Sequence, residues 1–181
     1  GCADLHDVAL RAMHLVDSHC HLDRVDLSAY GNSFDAMLAA ANAEGVEHML
    51  CVSIDLESYP AMLELVDDHP GISVSVGVHP NDHDRREPTV EELIELAAHP
   101  RNVAIGETGL DYYYEHSDRD TQAKLFRMHI DVARETGLPV IIHTRDAEDD
   151  TFEILAYEME KGAFPALIHC LTRPSSLLVI G

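Results

Sequence analysis

The sequence predicts an α/β protein with a parallel sheet, and three observations support this fold class. Short apolar segments rich in Val, Ile and Leu alternate with longer amphipathic segments along most of the chain. The apolar segments end near residues 19, 54, 79, 107, 143 and 169, at intervals close to the roughly 30 residues of a βαβ unit. Several of these ends carry metal-binding residue types, and parallel strands present their carboxyl ends at one edge of a sheet.

The first predicted strand ends in the motif His19-Cys20-His21. Side chains alternate along a strand with a period of two, so His19 and His21 point to one face and Cys20 to the other. Two imidazoles on one face at a strand end form half of a metal site. Taken alone, this motif is more often a pair of surface histidines. The recurrence of ligand types at later strand ends is what favours a metal site.

Hydrophobic periodicity and capping residues place the elements that follow. Helices are predicted over residues 33–43, 56–68, 89–98, 120–136 and 148–160. Strands are predicted over residues 46–54, 72–78, 103–107, 140–143 and 166–169, with a polar loop over 106–112. Thr89 is a natural N-cap, and Gly45, Gly137 and Gly162 end helices. The helical residues expected to face the core are Leu63, Val66, Leu125, Met128, Val132, Phe152, Leu155 and Met159.

Length and composition predict one soluble domain over residues 1–181, with an apolar content of 46%. No apolar run approaches the roughly 20 residues that span a bilayer, and residues 1–11 lack the apolar core of a signal peptide. We therefore expect a cytoplasmic protein without a membrane partner. The four cysteines form no CxxC pair and are expected to be reduced thiols.

The charge balance is strongly acidic, with 33 Asp and Glu against 12 Lys and Arg and a net charge of −21. Such a surface repels polyanions, which excludes broad electrostatic attraction to nucleic acid. A substrate that carries phosphates would have to be held locally, by metal ions and a few arginines. The simpler interpretation of the acidity is a well-hydrated surface.

Later strand ends add three candidate metal ligands, Glu107, His143 and His169. Imidazole and carboxylate ligands suit zinc, manganese or magnesium, and the sequence leaves these three open. His79 also lies at a strand end, where it either contacts a substrate phosphate or serves as a loop residue. Arg145 is either a phosphate clamp, because its planar fork matches phosphate oxygens, or the partner of a carboxylate in an ion pair.

Five segments resemble the TatD family of metal-dependent hydrolases, which belongs to a wider group of amidohydrolase-like barrels. In chain order they are residues 16–23 (VDSHCHLD), 77–80 (GVHP), 106–113 (GETGLDYY), 139–147 (PVIIHTRDA) and 168–170 (IHC). The likeness extends over roughly residues 14–170. Five motifs in the order of the family are a specific signal.

The resemblance implies a (β/α)8 barrel of the TIM type, one or two divalent metal ions and hydrolysis of phosphodiesters, often as a 3′-to-5′ DNase. It implies that His19 and His21 hold a first ion. Glu107 would bridge this ion and a second one as the catalytic carboxylate. His143 and His169 would hold the second ion. The implied substrate is DNA or another phosphodiester. The alternative for Glu107 is a structural carboxylate bonded to neighbouring backbone.

Two features depart from the family pattern. The family supplies a further aspartate after a later strand, as a ligand and base, and this sequence ends before it. Residues 171–180 also differ from the pattern, and six strands fall short of a barrel, which takes about 250 residues. We expect a truncated or frame-altered barrel whose terminal segment is not native to the family. Its open strand edges would invite self-association.

Three functions stay open on the sequence. The first is a metal-dependent phosphodiesterase that acts on DNA. The second is an amidohydrolase that acts on C–N or C–O bonds, although many binuclear members carry a carboxylated lysine at the fourth strand. This chain has Glu107 there and no lysine nearby. The third is a fragment that binds metal without turnover, which the missing aspartate favours.

Overall fold

The computed structural model describes residues 14–81 and 86–169, which form one six-stranded parallel sheet. Its strands are β1 (Leu15–Cys20), β2 (Val46–Cys51), β3 (Ile72–Val76), β4 (Asn102–Asp111), β5 (Val140–Arg145) and β6 (Ala166–His169). The strands lie in the sheet in sequence order, and each pairs in parallel with the next. Consecutive parallel strands form the wall of a barrel, so the structure is a half-barrel. The predicted α/β class and the incomplete barrel are confirmed.

An α-helix lies between each two successive strands. These helices are α1 (Phe34–Ala43), α2 (Tyr59–Val66), α3 (Val90–Ala97), α4 (Arg119–Thr136) and α5 (Glu148–Lys161), with short 3-10 helices at Leu22–Arg24 and Leu27–Tyr30. The side chains of Ser33, Thr89 and Asp118 cap α1, α3 and α4 by accepting a hydrogen bond from a backbone N–H in the first turn. Gly137 ends α4 in the left-handed conformation, with a φ of 71°.

The main core lies between the sheet and the helices. Ile142 of β5 packs there with Val66 of α2 and Phe126 of α4, and all three are fully buried. The next residue back along the strand, Ile141, faces the opposite side and joins a small second cluster with Val52. This alternation follows from the period of two in a strand.

The predicted polar loop over residues 106–112 is wrong, because β4 continues through it to Asp111. Gly106 and Gly109 are typical of loops, but here they lie against β5. A Cβ atom at Gly106 would stand 2.6 Å from the carbonyl oxygen of Ile141, and Gly109 is equally crowded by β5. The two glycines therefore serve close approach of the strands.

The predicted inner faces of the helices are correct only in places. Val66, Val132 and Leu155 are buried as predicted, whereas Leu63, Leu125, Met128, Phe152 and Met159 are only partly buried. In α4 the other buried residues are Gln122, Phe126, His129, Ile130 and Ala133. Gln122 and His129 are polar, so the buried face of α4 cannot be predicted from the spacing of apolar residues alone.

Cys20 and Cys51 are free thiols, as predicted. Cys20 packs against the main core, opposite to its histidine neighbours, and its thiol donates to the Leu50 carbonyl at 3.2 Å. Burial raises the pKa of Cys20 to about 12. Cys2, Cys170 and the segment over 171–181 lie outside the described residues.

β1 and β6 are the outer strands of the described sheet, and self-association through them stays a prediction. Within residues 14–81 and 86–169, no helix combines the length and the hydropathy needed to cross a bilayer.

Candidate metal centre

Side chains from several strand ends meet at the carboxyl edge of the sheet, and two groups of them have the geometry of metal sites. His19, His21 and Glu107 form one group, and His79, Glu107 and His143 form the other. Within each group the ligand atoms all lie within 4.8 Å of one another. Glu107 belongs to both groups. A carboxylate shared in this way can bridge two ions.

Glu107 is only 2% exposed, and it is surrounded by imidazoles. Its Oε1 lies 3.1 Å from Nδ1 of His143, and its Oε2 lies 3.2 Å from Nε2 of His19. Burial by itself raises the pKa of Glu107, but the hydrogen bond from His143 and the nearness of His19 outweigh burial and hold the pKa well below its usual range. Glu107 is therefore ionised at neutral pH, the state in which a carboxylate binds a divalent cation.

His143 is fixed by hydrogen bonds at both of its ring nitrogens. Besides the contact between Nδ1 and Glu107, Nε2 lies 2.9 Å from Oδ2 of Asp111. Burial lowers the pKa of His143, but the two carboxylates outweigh burial and raise the pKa above its ordinary value. A carboxylate behind an imidazole orients the ring of a metal ligand and raises its basicity. Nδ1 is then the nitrogen that faces the centre.

Asp111 is the residue that the sequence analysis misses. It is fully buried, and its carboxylate accepts hydrogen bonds from the amides of Tyr113 and Tyr114, both at 3.0 Å, and from Nδ2 of Asn81 at 2.9 Å. Burial raises the pKa of Asp111, but these bonds and the one to His143 outweigh burial and lower the pKa. Asp111 lies in the motif over residues 106–113, but the prediction of a polar loop there gave it no role at the metal centre.

Two buried polar side chains of α4 hold the backbone below the site. Gln122 accepts from the amide of Asp111 at 2.8 Å and donates to its carbonyl at 3.1 Å. His129 accepts from the amide of Val78 at 3.0 Å and donates from Nδ1 to a carbonyl one turn earlier in α4. Burial lowers the pKa of His129 to about 4, so the ring stays neutral. These bonds explain why α4 turns polar residues inward.

His21 and His79 differ in the nitrogen that each presents to the centre. Nδ1 of His21 donates to the carbonyl of Val52 at 2.8 Å, so Nε2 keeps its lone pair for an ion. Nδ1 of His79 instead accepts from the amide of Asn81 at 3.1 Å, so the proton of the neutral ring is on Nε2, which lies 3.9 Å from Oε1 of Glu107. Burial lowers the pKa of His79 to about 4 despite the nearby Glu107. His21 is thus suited to bind a metal, and His79 is suited to donate a hydrogen bond.

The ring of His19 has no hydrogen-bond partner in the part of the chain that the structure describes. Both of its ring nitrogens are buried and make no hydrogen bond, although Nε2 is at ion-pair distance from Glu107. Buried polar atoms without partners are rare, and a cation at this position would supply the missing partner. The ring of His169 stacks on that of His19, with centroids 3.6 Å apart and planes at 6°. His169 belongs to neither group, and its role as a ligand stays a prediction.

Arg145 lies at the rim of the site. Its guanidinium carbon is 4.1 Å from the ring centroid of Tyr113 and 5.0 Å from that of Tyr114. Among the described residues no carboxylate pairs with it, which leaves the phosphate clamp as the interpretation to test. A guanidinium stacked on a ring keeps its N–H edges for other acceptors.

The donor set fits a divalent cation. Glu107 supplies an ionised carboxylate, His21 supplies a free lone pair, and the unpartnered nitrogens of His19 need an electrophile. Mixed imidazole and carboxylate ligands suit zinc and manganese, and carboxylate oxygen suits magnesium.

Known proteins resemble the chain in sequence. The family described as TatD related DNase matches residues 16–178, which is further than the motifs predict. The Escherichia coli K12 protein named uncharacterized metal-dependent hydrolase YcfH is 44% identical over 161 residues, or 88% of this chain and 60% of that protein. The Escherichia fergusonii protein named 3′-5′ ssDNA/RNA exonuclease TatD is 34% identical over 147 residues, or 80% of this chain and 56% of that protein.

Solved structures share the fold. YjjV, a TatD homolog from Escherichia coli K12, has a TM-score of 0.72 at 25% identity and covers 81% of this chain and 56% of its own. A TatD family hydrolase from Entamoeba histolytica has a TM-score of 0.72 at 24% identity and covers 88% of this chain and 58% of its own.

The chain spans about three fifths of the length of the curated relatives it matches, at 60% of YcfH and 61% of the Bacillus subtilis protein YabD. Its motifs lie at the strand ends of a half-barrel, and the family match covers residues 16–178. On this ground the chain belongs to the TatD-related DNase family.

Proposed function

We propose that this chain carries the metal centre of a hydrolase that cleaves the phosphodiester bonds of DNA from the 3′ end, in the cytoplasm. The observation that carries the proposal is Glu107, a buried and ionised carboxylate shared by two groups of imidazoles. Membership of the family and the exonuclease name of one relative support a nucleic-acid substrate.

In this proposal His19 and His21 would hold a first ion, and His143 would hold a second ion, with the Glu107 carboxylate shared between them. His169, beside His19, stays the further ligand that the family resemblance implies for the second ion. The ions, when bound, would supply polarisation of a phosphoryl oxygen and a water whose pKa is lowered to about 7.

The other residues bind and orient the substrate. His79 donates the proton on Nε2 to a phosphate oxygen, because its Nδ1 is already occupied by the amide of Asn81. Arg145 binds a neighbouring phosphate through the N–H edges that its stacking on Tyr113 leaves open. Asp111 holds the ring of His143 in place while the substrate enters.

The lysines of the chain favour a phosphodiester over an amide substrate. The sequence has only Lys124 and Lys161, which lie on α4 and α5. They pair with Glu87 at 2.7 Å and Glu158 at 2.9 Å, respectively. Neither is at the end of β4, where many amidohydrolase-like enzymes use a carboxylated lysine.

The test is metal-dependent cleavage of a 5′-labelled single-stranded oligonucleotide by the full chain. After treatment with a chelator, magnesium, manganese or zinc is added in turn, with small amide and lactone substrates in parallel. We expect products that shorten from the 3′ end only when an ion is present. Turnover of the amide or lactone without DNA cleavage would indicate an amidohydrolase. Metal binding without any turnover would indicate a non-catalytic protein, and either result contradicts the proposal.

A further inference from the structure

Two exposed tyrosines stand next to the proposed metal centre. Tyr113 and Tyr114 come two and three residues after Asp111, the buried last residue of β4, and they are 58% and 51% exposed. Rings this open to solvent add little to the core, so packing does not account for them.

The two rings form an ordered surface with Arg145. They are perpendicular to each other, with centroids 4.8 Å apart and an interplanar angle of 89°. Arg145 covers the ring of Tyr113 at 4.1 Å, and the ring of His116 lies parallel to that of Tyr114 at 5.4 Å. We call Tyr113, Tyr114 and Arg145 the tyrosine platform.

The tyrosine platform is attached to the metal centre through one carboxylate. Oδ1 of Asp111 accepts from the amides of Tyr113 and Tyr114, while Oδ2 of the same group bonds to His143. Arg145 follows His143 on β5, and its carbonyl accepts from the amide of Tyr112 at 2.9 Å. The platform is therefore held in a fixed position relative to the ligand His143.

The net charge of the chain favours base stacking as the source of affinity for a nucleic acid. With a net charge of −21, the chain has no general electrostatic attraction for a polyanion. Stacking of bases on aromatic side chains does not depend on net charge, and every base offers a face to stack.

We propose that the tyrosine platform binds the bases of a single-stranded nucleic acid beside the phosphate to be cleaved. Tyr113 and Tyr114 stack the bases, and Arg145 binds the backbone between them. This inference rests on the proposed function, since it names the substrate strand that the same site takes.

Tyr157 provides a matched control outside the tyrosine platform. It lies on α5, is 54% exposed, and has Lys161 at 4.4 Å and Arg127 at 5.2 Å from its ring centroid. It therefore repeats the chemistry of the platform without its hydrogen bonds to Asp111.

The experiment compares binding of a labelled oligothymidylate and an abasic strand of the same length by fluorescence anisotropy. A chelator prevents cleavage, and added salt screens the charge of the protein. We expect the wild type to prefer the strand with bases, and the double variant Tyr113→Ala/Tyr114→Ala to bind it about 10-fold more weakly. The abasic strand serves as the internal reference. Tyr113→Phe/Tyr114→Phe and Tyr157→Ala should keep the preference.

A wild type without preference for bases, or a double alanine variant that retains the preference, would overturn the inference. Metal-dependent cleavage is measured separately on the same proteins. If the wild type prefers the strand with bases but does not cleave DNA, the result counts against the proposed function alone. If the wild type cleaves DNA but binds the oligothymidylate and the abasic strand equally, the result counts against the tyrosine platform alone.

Discussion

The candidate metal centre joins two unlike regions of the sheet. At the interior strands β4 and β5, Glu107 is 2% and His143 8% exposed, and the two are hydrogen bonded to each other. At the outer strands β1 and β6, Val16 is 66% and Leu167 49% exposed. His19, which projects from β1, has no hydrogen bond at either ring nitrogen within the described residues.

This difference shows which part of the site the protein organises by itself. The interior region is held by the hydrogen bonds of His143 to Glu107 and Asp111, so its geometry does not depend on an ion. The outer region buries imidazole nitrogens without a partner, which costs about 1–3 kcal/mol per group unless an ion supplies one. We infer that an ion orders the β1 side and finds the β4–β5 side already in place.

The largest effect is expected for Glu107→Gln. The neutral amide removes the one charge common to both groups, so both should lose affinity for the metal. A metal ion is worth several kcal/mol to such a reaction, so DNA cleavage should fall by about 10³-fold. Isothermal titration with manganese and the oligonucleotide assay measure the two effects.

Glu158→Gln is the matched control for that variant. Glu158 is equally buried, at 1% exposed, but it pairs with Arg127 and Lys161 on the helical side. Its substitution should lower the free energy of unfolding and leave metal affinity unchanged. If both variants weaken metal binding equally, Glu107 has no special role.

A second prediction compares His143→Ala with His19→Ala in the presence of a chelator. Without His143, Glu107 and Asp111 are buried carboxylates without their shared partner, which should lower the free energy of unfolding by about 3 kcal/mol. His19→Ala removes ring nitrogens that have no hydrogen-bond partner. The free energy of unfolding should therefore change by less than about 1 kcal/mol.

Urea unfolding of the two variants and the wild type gives this comparison directly. Manganese should then raise the stability of the wild type and much less that of either variant. Equal losses for the two variants in chelator would contradict the distinction between the interior and outer regions.

An effect smaller than that of Glu107→Gln is expected for Asp111→Asn. The amide keeps an oxygen for the amides of Tyr113 and Tyr114 but no longer carries the charge that orients His143. Substitutions behind a metal ligand typically reduce metal affinity by about 10–100-fold. Manganese titration measures the change, and an unaltered affinity would show that Asp111 is merely structural.

The sequence could predict those features that depend on local patterns of residues. Strand ends and helix caps depend on local patterns, so the six strands and residues such as Thr89 and Gly137 were found. The motifs also found His19, His21 and Glu107, which the structure brings together.

Features that depend on contacts between distant segments were not found. Gly106 and Gly109 are typical of a loop until β5 is seen against them. Gln122 and His129 interrupt an apolar pattern, and only their bonds to backbone in other elements explain their burial. The proton position on His79 likewise depends on the amide of Asn81 in the folded chain.

The central claim is that Glu107 is shared by two metal sites, and anomalous diffraction from crystals grown with manganese tests it most directly. We predict manganese bound to the Glu107 carboxylate, with His19 and His21 on one side and His143 on the other. Manganese bound elsewhere, with Glu107 touching no ion, would contradict the account.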